Sequence, residues 1–176
     1  MDEIINKVEK SGLKEINLED FYIQGERYLL DIKQYLTSLS FGEGKEEAFI
    51  LKEKDFREYV KTHDWTKYKD KLVAITCTAD AVIPTWAYML IATVLQSYAK
   101  KFVFGDLKTL ETVLFQESLS KMNPEEFRDK KIIIRGCSNL PVPESAYVEL
   151  TRILVPFAKS IMYGEACSTV PLMKKM

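Results

Sequence analysis

The fold is decided by one stretch of the chain, KLVAITCTADAVIPTWAYMLIATVLQSYAKKFVF, residues 71–104. It opens with the short β-branched run Leu72–Thr76, continues through the uncharged segment Ala81–Ala99 and closes with a second apolar run, Lys101–Phe104. Continuous apolar runs on either side of a helix-length segment are typical of βαβ units in a parallel sheet. Pro84 suits the first turn of the intervening helix. The stretch therefore predicts a strand, a largely buried helix and a parallel strand.

The same alternation continues toward the C-terminus. Leu107–Leu119 and Ser145–Ala158 are amphipathic, whereas Lys131–Arg135 and Lys159–Tyr163 are short β-like runs. Together with the first stretch they predict a β-α-β-α-β-α-β core over residues 71–176. The expected fold class is α/β, with three layers and a mostly parallel sheet of the Rossmann or flavodoxin-like kind.

The first 70 residues follow a different pattern. Ile16–Tyr22 and Arg27–Ile32 resemble two strands of a hairpin-like arrangement, and Phe49–Leu51 leads into the amphipathic segment KEKDFREYVKTH. We expect residues 1–70 to form a small α+β cap on the core, and residues 1–176 to form a single domain. The sequence shows us no internal repeat.

Composition narrows the range of partners. Apolar residues make up 47% of the chain. The 25 basic side chains are balanced by 26 acidic ones, so the protein has no large net positive charge to attract a nucleic acid. Pro84 and the polar residues within Ala81–Ala99 argue against a membrane-spanning helix. An odd number of cysteines and the absence of a secretion signal favour a cytoplasmic protein with reduced thiols. An apolar surface on the N-terminal part leaves a homodimer open.

Each of the three cysteines follows an apolar run that reads as a strand. Cys77 comes after Leu72–Thr76, Cys137 after Lys131–Arg135, and Cys167 four residues after Tyr163. We number the four β-like runs from residue 72 onward in chain order and assume that they form one sheet in the order 2-1-3-4. Leu72–Thr76 and Lys131–Arg135 would then be adjacent, at the switch point where α/β proteins bind ligands. Adjacent strands lie about 4.8 Å apart, so the sulfurs could share one site.

Thiolates are ligands for zinc or iron. Our leading hypothesis is therefore a transition-metal site formed by Cys77, Cys137 and Cys167. The further candidate ligands are Asp80, Asp106, Glu165 and the single histidine, His63. Because cysteine is often simply buried, three inert thiols remain the alternative.

Two other hypotheses use the same crevice without a metal. In one, Cys137 is a nucleophile whose pKa is lowered by helix N-termini, with His63 and Asp64 as base and orienter. In the other, a small ligand binds at free helix amides near Asp106 or Glu144–Tyr147. The candidate lining residues are Trp86, Tyr88, Tyr147 and Tyr163. A structural or partner-binding domain with unreactive cysteines is the last alternative. No motif among these residues names a reaction, so the sequence does not decide whether the protein is an enzyme.

Three segments carry a family resemblance: HDWTKYKDKLVAITCTADAVIPTWAYML, KFVFGDLKTLETVLFQE and VPESAYVELTRILVPFAKSIMYGEACSTVPL. They look like the DUF2480 family, a group of uncharacterised proteins from Bacteroidetes. NKVEKSGL and FILKEKDFRE extend the resemblance toward the N-terminus. It implies an association with iron–sulfur assembly proteins, and hence an accessory role in iron–sulfur metabolism. The cysteines lie in the family-like segments ITCTAD, RGCSN and YGEACST, but the resemblance implies no catalytic role for them.

Overall fold

The computed structural model describes residues 12–39, 48–136, 140–165 and 168–175. The chain divides into two compact units: unit 1 comprises Met1–Ile23 and Glu111–Met176, and unit 2 comprises Gln24–Leu110. Unit 2 is contiguous in sequence. Unit 1 is assembled from both ends of the chain.

The described residues form nine strands, four α-helices and four short 3₁₀ turns. The strands are β1 (Leu13–Asn17), β2 (Arg27–Asp31), β3 (Thr37–Leu39), β4 (Ala48–Ile50), β5 (Leu72–Thr76), β6 (Lys101–Phe104), β7 (Lys131–Arg135), β8 (Ser160–Glu165) and β9 (Ser168–Lys174). The helices are α1 (Glu53–Thr62), α2 (Thr85–Leu95), α3 (Leu107–Ser120) and α4 (Glu144–Leu154). The 3₁₀ turns are Leu18–Phe21, Ile32–Tyr35, Trp65–Tyr68 and Pro124–Phe127.

Unit 2 contains a three-stranded parallel sheet in the order β2-β5-β6. Val73 and Ile75 of β5 point to one face, where they join a buried cluster with residues of α1 and α2. Helix α2 contributes Ala87, Ile91 and Leu95, whose spacing of four residues places them on one side of a helix. Both helices therefore cover the same face of this sheet. β3 and β4 form a separate antiparallel pair.

Unit 1 contains a four-stranded sheet in the order β1-β7-β8-β9. The first three strands are parallel, and β9 pairs antiparallel with β8. Ile132 and Ile134 of β7 face the buried cluster, to which α3 contributes Phe115 and Leu119. Helix α4 adds its own stripe, Ala146, Leu150 and Leu154. Again, two helices lie on one face of a sheet.

The two units share a structural repeat. Residues 64–106 correspond without a gap to residues 123–165, each 59 positions further on, as Pro84 and Pro143 illustrate at the starts of α2 and α4. Each repeat is a 3₁₀ turn, a strand, a helix and a parallel strand. Each repeat also pairs with a strand from the N-terminal region, β2 beside β5 and β1 beside β7. The register is the same in both, since Arg27 lies opposite Leu72, Leu13 lies opposite Lys131, and Leu72 and Lys131 are equivalent positions of the repeat.

Backbone details repeat as well. Asp70 and Asp129 both adopt positive φ, 59° and 58°, after their 3₁₀ turns. Their amides donate to the carbonyl oxygens of Tyr98 and Phe157, each at 3.0 Å. The expectation of no internal repeat was therefore wrong. The repeat is hard to see in sequence because it rests on backbone conformation and apolar character, which many different residues satisfy.

The structure confirms a mixed α/β fold with mostly parallel sheets, but not the single doubly wound sheet. Leu72–Thr76 and Lys131–Arg135 belong to different sheets, so the predicted strand order 2-1-3-4 was wrong where it made these two strands neighbours. Its other two adjacencies are confirmed, since β5 pairs with β6 and β7 pairs with β8. β1 and β2 do not form a hairpin-like cap, because each is a parallel edge strand beside β7 or β5. Apolar periodicity identifies strands but not their partners. The partners β1 and β7, like β2 and β5, are far apart in sequence. The prediction of one domain over residues 1–176 stays a prediction.

The uncharged segment Ala81–Ala99 contains α2, which is only 11 residues long. Among the described helices, none combines the length and the apolar character that crossing a membrane would require.

Candidate functional site

An open groove of about 570 Å³ lies among the described residues of unit 1. It lies between α4 and the strands β7, β8 and β9. Its lining residues are Ile134, Val142, Glu144, Tyr147, Val148, Thr151, Tyr163 and Leu172. Six of these eight side chains are aliphatic or aromatic, so most of the groove wall is apolar.

The parallel strands determine where this groove opens. Ile134 and Tyr163 are opposite each other near the carboxyl ends of β7 and β8. Helix α4 begins just above them and presents Tyr147, Val148 and Thr151. Outside the carboxyl ends of parallel strands is the usual location of ligand sites in α/β proteins.

An aromatic pair forms part of the groove wall. The rings of Tyr147 and Tyr163 meet edge to face, with centroids 5.8 Å apart and an interplanar angle of 82°. Tyr147 reaches toward the end of β7, where residue 136 is glycine. A Cβ atom at Gly136 would lie 1.6 Å from the Tyr147 hydroxyl oxygen. The missing side chain at Gly136 therefore makes room for the tyrosine.

β9 supplies the outer part of the groove through Leu172. Val148 of α4 is 70% exposed. Tyr163 is also partly open to solvent, with 42% exposed. Exposed apolar side chains that line one concavity mark a binding surface more often than isolated ones do.

An ion-pair network lies across the same sheet. Arg135 contacts Glu15 of β1 with one terminal nitrogen and Glu165 of β8 with the other, the latter at 2.8 Å. These hydrogen bonds and charges raise the pKa of the Arg135 guanidinium. Glu165, a candidate metal ligand from the sequence, therefore serves in the structure as a partner of Arg135.

Cys77 follows β5 in unit 2, at the position that corresponds to Gly136 in unit 1. Its thiol contacts the carbonyl oxygen of Ala79 at 3.8 Å and takes part in no disulfide. Burial raises the pKa of the Cys77 thiol, and the negative charge of Asp31 raises it further. The structure thus favours a protonated, weakly reactive thiol at this position.

We expect Cys77 to react slowly with iodoacetamide at pH 7. Its raised pKa leaves little thiolate, which is the nucleophilic form. Peptide mapping by mass spectrometry separates Cys77 from the other cysteines, and the same protein in denaturant is the control. Slower labelling in the native protein than in denaturant is expected from the smaller thiolate fraction. Equal rates in the two states would contradict the raised pKa of this thiol.

The other candidate ligands in unit 2 lie in different settings. Asp80 is exposed in the loop after Cys77. Asp106 accepts hydrogen bonds from the Thr109 amide at 2.7 Å and its hydroxyl at 2.8 Å, and these bonds lower the pKa of the carboxyl. It therefore caps the start of α3, and its carboxylate already accepts the hydrogen bond of an amide that was considered as an anion site.

His63 belongs to an aromatic cluster at the end of α1. Its ring contacts the hydroxyl of Tyr35 at 3.1 Å and that of Tyr68 at 3.3 Å, and it packs against Trp65 with centroids 4.7 Å apart. Asp64 does not orient the imidazole, because its carboxylate accepts from the amide and hydroxyl of Thr66. The described geometry gives no support to a His63–Asp64 pair as a catalytic base and orienter.

The imidazole of His63 should titrate below its ordinary pKa of 6.5. Burial lowers its pKa most, and Lys67 lowers it further. Because the folded state binds this proton less readily, the His63 contribution to stability is complete above pH 6.5 and is lost as the pH falls from 6.5 through the folded pKa. The NMR titration of this single histidine measures the pKa directly. Denaturation of wild type and His63→Gln at pH 5 and pH 7 isolates its stability contribution. A folded pKa at or above 6.5 would contradict the expected shift.

The remaining cysteines, Cys137 and Cys167, lie outside the described residues. The proposed adjacency of Cys77 and Cys137 rested on neighbouring strands, and those strands belong to different sheets. Within the described ranges, no group of three or more His, Cys, Asp or Glu side chains could hold a metal ion. Zinc or iron ligation by the three cysteines stays a prediction, which metal analysis of anaerobically purified protein would check.

Sequence reasoning found part of the groove and missed the rest. Tyr147 and Tyr163 were both named as candidate lining residues, and both line it. Val148, Thr151 and Leu172 were missed. The spacing 144, 147, 148, 151 does mark one side of a helix, but it does not tell an open groove from a core. β9 gave no clear strand signal, because Pro171 interrupts it.

Comparisons with known proteins place the chain in a family but add no activity. Residues 2–175 match the model of a family described as a protein of unknown function, DUF2480. No curated protein matches the chain, and no solved structure matches it.

Proposed function

Since the chain belongs to the DUF2480 family, whose description assigns no activity, we propose a function from the geometry alone: binding of a small, mostly apolar molecule in the groove of unit 1. The observation that carries the proposal is the open groove of about 570 Å³ at the carboxyl ends of β7 and β8. Ligand pockets in proteins have volumes of about 300–1,000 Å³ and are lined mainly by apolar and aromatic side chains.

The lining indicates the shape of the ligand. Tyr147 and Tyr163 present aromatic surface, and Ile134, Val142 and Leu172 add aliphatic surface. A planar ring system can stack on or meet the edge of such tyrosines, with a gain beyond its buried area. A flat aromatic molecule is therefore the class that this wall suits.

The charge of the groove lining indicates which charge the ligand should not carry. Among the described lining residues, Glu144 is the charged one, and it stands at the start of α4. A carboxylate at this position disfavours an anionic ligand relative to a neutral or cationic one. We therefore expect a neutral or cationic aromatic ligand.

Two probes of matched shape test this proposal: 1-naphthylmethylammonium and 1-naphthoate. Each has about 12 heavy atoms, and at about 0.3 kcal/mol per atom the cation should bind with a dissociation constant of the order of 1 mM. Saturation-transfer NMR measures such weak binding. Tighter binding of the cation than of the anion is expected, and Glu144→Gln should reduce that difference.

The repeat offers a matched pair of variants. Val148→Arg places a long, charged side chain at the mouth of the groove and should weaken probe binding about tenfold or more. Met89→Arg makes the same change at the corresponding position of α2 in unit 2, where 63% of the side chain is exposed, and should leave the binding unchanged. Equal effects of the two variants, or no binding of either probe, would refute the proposed groove function.

A further inference from the structure

Comparison of the two repeats shows a strand in unit 1 that has no counterpart in unit 2. In unit 1, β8 has β7 on one side and the antiparallel strand β9 on the other. In unit 2, the corresponding strand β6 has β5 on one side, and no described strand pairs with its other side. Among the described strands, the edge that β9 covers in unit 1 therefore has no partner in unit 2.

The open edge exposes an aromatic side chain. Phe104 is 67% exposed, against 42% for Tyr163 at the corresponding position beside β9. The Phe104 ring meets Tyr88 edge to face, with centroids 4.9 Å apart, and this pair repeats the Tyr147–Tyr163 pair of unit 1. A large apolar side chain at the end of an unpaired strand is a feature of edges that bind another strand.

The backbone determines which groups this edge offers. The amides of Lys101 and Gly105 donate to the carbonyl oxygens of Lys71 and Ile75, toward β5. Because strand residues alternate in direction, the amide and carbonyl groups of Phe102 and Phe104 point away from β5. In unit 1 the corresponding residues, Ile161 and Tyr163, are paired with Met173 and Val170 of β9.

We propose that β6 pairs antiparallel with β6 of a second copy of this chain, with the two-fold axis at Val103. In this register Phe102 of each copy lies opposite Phe104 of the other, and the outward-pointing groups of both residues form the hydrogen bonds. Val103 lies opposite its own counterpart. The two three-stranded sheets become one six-stranded sheet.

Self-complementarity selects a second copy as the occupant of this edge. An isologous interface requires that a surface patch fit itself, and this register gives two cross-strand pairs of phenylalanines. The only charged residue of β6, Lys101, lies opposite Gly105 of the other copy, so no like charges face each other. A lysine commonly protects a free edge, but here it stands at the end of the strand and leaves the centre apolar.

Sedimentation of the full chain from about 1 to about 100 μM measures the association, which depends on concentration. We expect a monomer–dimer equilibrium in the wild type. Phe104→Lys puts a charge at the centre of the contact and should weaken the dimer about tenfold or more. Tyr163→Lys makes the same change in unit 1, where β9 already covers the edge, and should leave the dimer intact. Circular dichroism verifies that both variants fold.

A cross-link tests the register. Directly opposed residues that share no hydrogen bonds have Cα atoms about 4.5 Å apart, within the range of a disulfide. Val103→Cys should therefore form a disulfide-linked dimer under mild oxidation, whereas the wild type, with its own cysteines, should not. A wild type that remains monomeric, a dimer that survives Phe104→Lys, or a Val103→Cys protein without the cross-link would each overturn the proposal.

Discussion

Replacing Phe56 with alanine should lower the free energy of unfolding by about 3–5 kcal/mol, the usual cost of truncating a buried phenylalanine. The ring is fully buried in unit 2. It contacts Tyr35 and Trp86 edge to face, with centroid distances of 5.9 and 5.7 Å. Alanine would lose these contacts and leave a cavity between α1 and the sheet. Urea denaturation followed by circular dichroism measures the change.

The repeat makes a matched prediction for unit 1. Phe115 of α3 is the residue 59 positions after Phe56, and it is also buried. We expect Phe115→Ala to cost a similar amount, about 3–5 kcal/mol. Tyr59→Ala is the control, because this α1 side chain is about half exposed and should cost less than about 1 kcal/mol. A loss below about 1 kcal/mol for both phenylalanines would contradict the cores described for the two units.

Gly164→Ala should destabilise the protein by about 3 kcal/mol, from backbone strain together with a steric clash. Gly164 has a φ of +116°, which side-chain-bearing residues rarely adopt. A Cβ atom there would lie 2.6 Å from the carbonyl oxygen of Ser168, at the start of β9. Because the contact is with backbone, it can be relieved only by moving a strand. Thermal and urea denaturation both report the loss.

Gly12→Ala separates the two causes. Gly12 also has a positive φ, 64°, but a Cβ atom there would meet nothing within 4 Å. This substitution should therefore cost only the conformational penalty, about 1–2 kcal/mol. If Gly164→Ala costs no more than Gly12→Ala, the clash with β9 is not real. Since Leu172 of β9 lines the groove, Gly164→Ala should also weaken binding of the naphthyl probe.

Local structure was largely predictable from the sequence, because it depends on neighbouring residues. Leu72–Thr76, Lys101–Phe104 and Lys131–Arg135 were predicted as strands with the bounds that the structure has. The helices were also found, although Ala81–Ala99 narrowed to Thr85–Leu95 and Ser145–Ala158 shifted to Glu144–Leu154. Pro84 marked where one of them begins.

Strand partners were predictable only within each βαβ unit, where β5 pairs with β6 and β7 with β8. The other pairings were not, because apolar runs of similar composition can pair with one another interchangeably. Leu72–Thr76 pairs with Arg27–Asp31 and Lys131–Arg135 with Leu13–Asn17, and both N-terminal strands carry too many charges to resemble buried parallel strands. The error affected the candidate site directly. Cys77 and Cys137 were brought together by an assumed adjacency of β5 and β7, whereas the groove lies beside β7, β8 and β9, and β9 was not predicted.

The pairing of β1 with β7 has a consequence for how the chain folds during synthesis. Leu13 lies opposite Lys131, so β1 cannot pair until the ribosome has added its partner strand, 118 residues later. At about 5–20 residues per second, the ribosome needs roughly 6–24 s to make that stretch. The described strands of unit 2 lie between β1 and β7 in the chain, within Gln24–Leu110. All three strands of its parallel sheet have therefore been synthesised before β7 is translated. We therefore expect the inner segment to fold while the ribosome is still adding residues, whereas β1 can pair with β7 only near the end of synthesis.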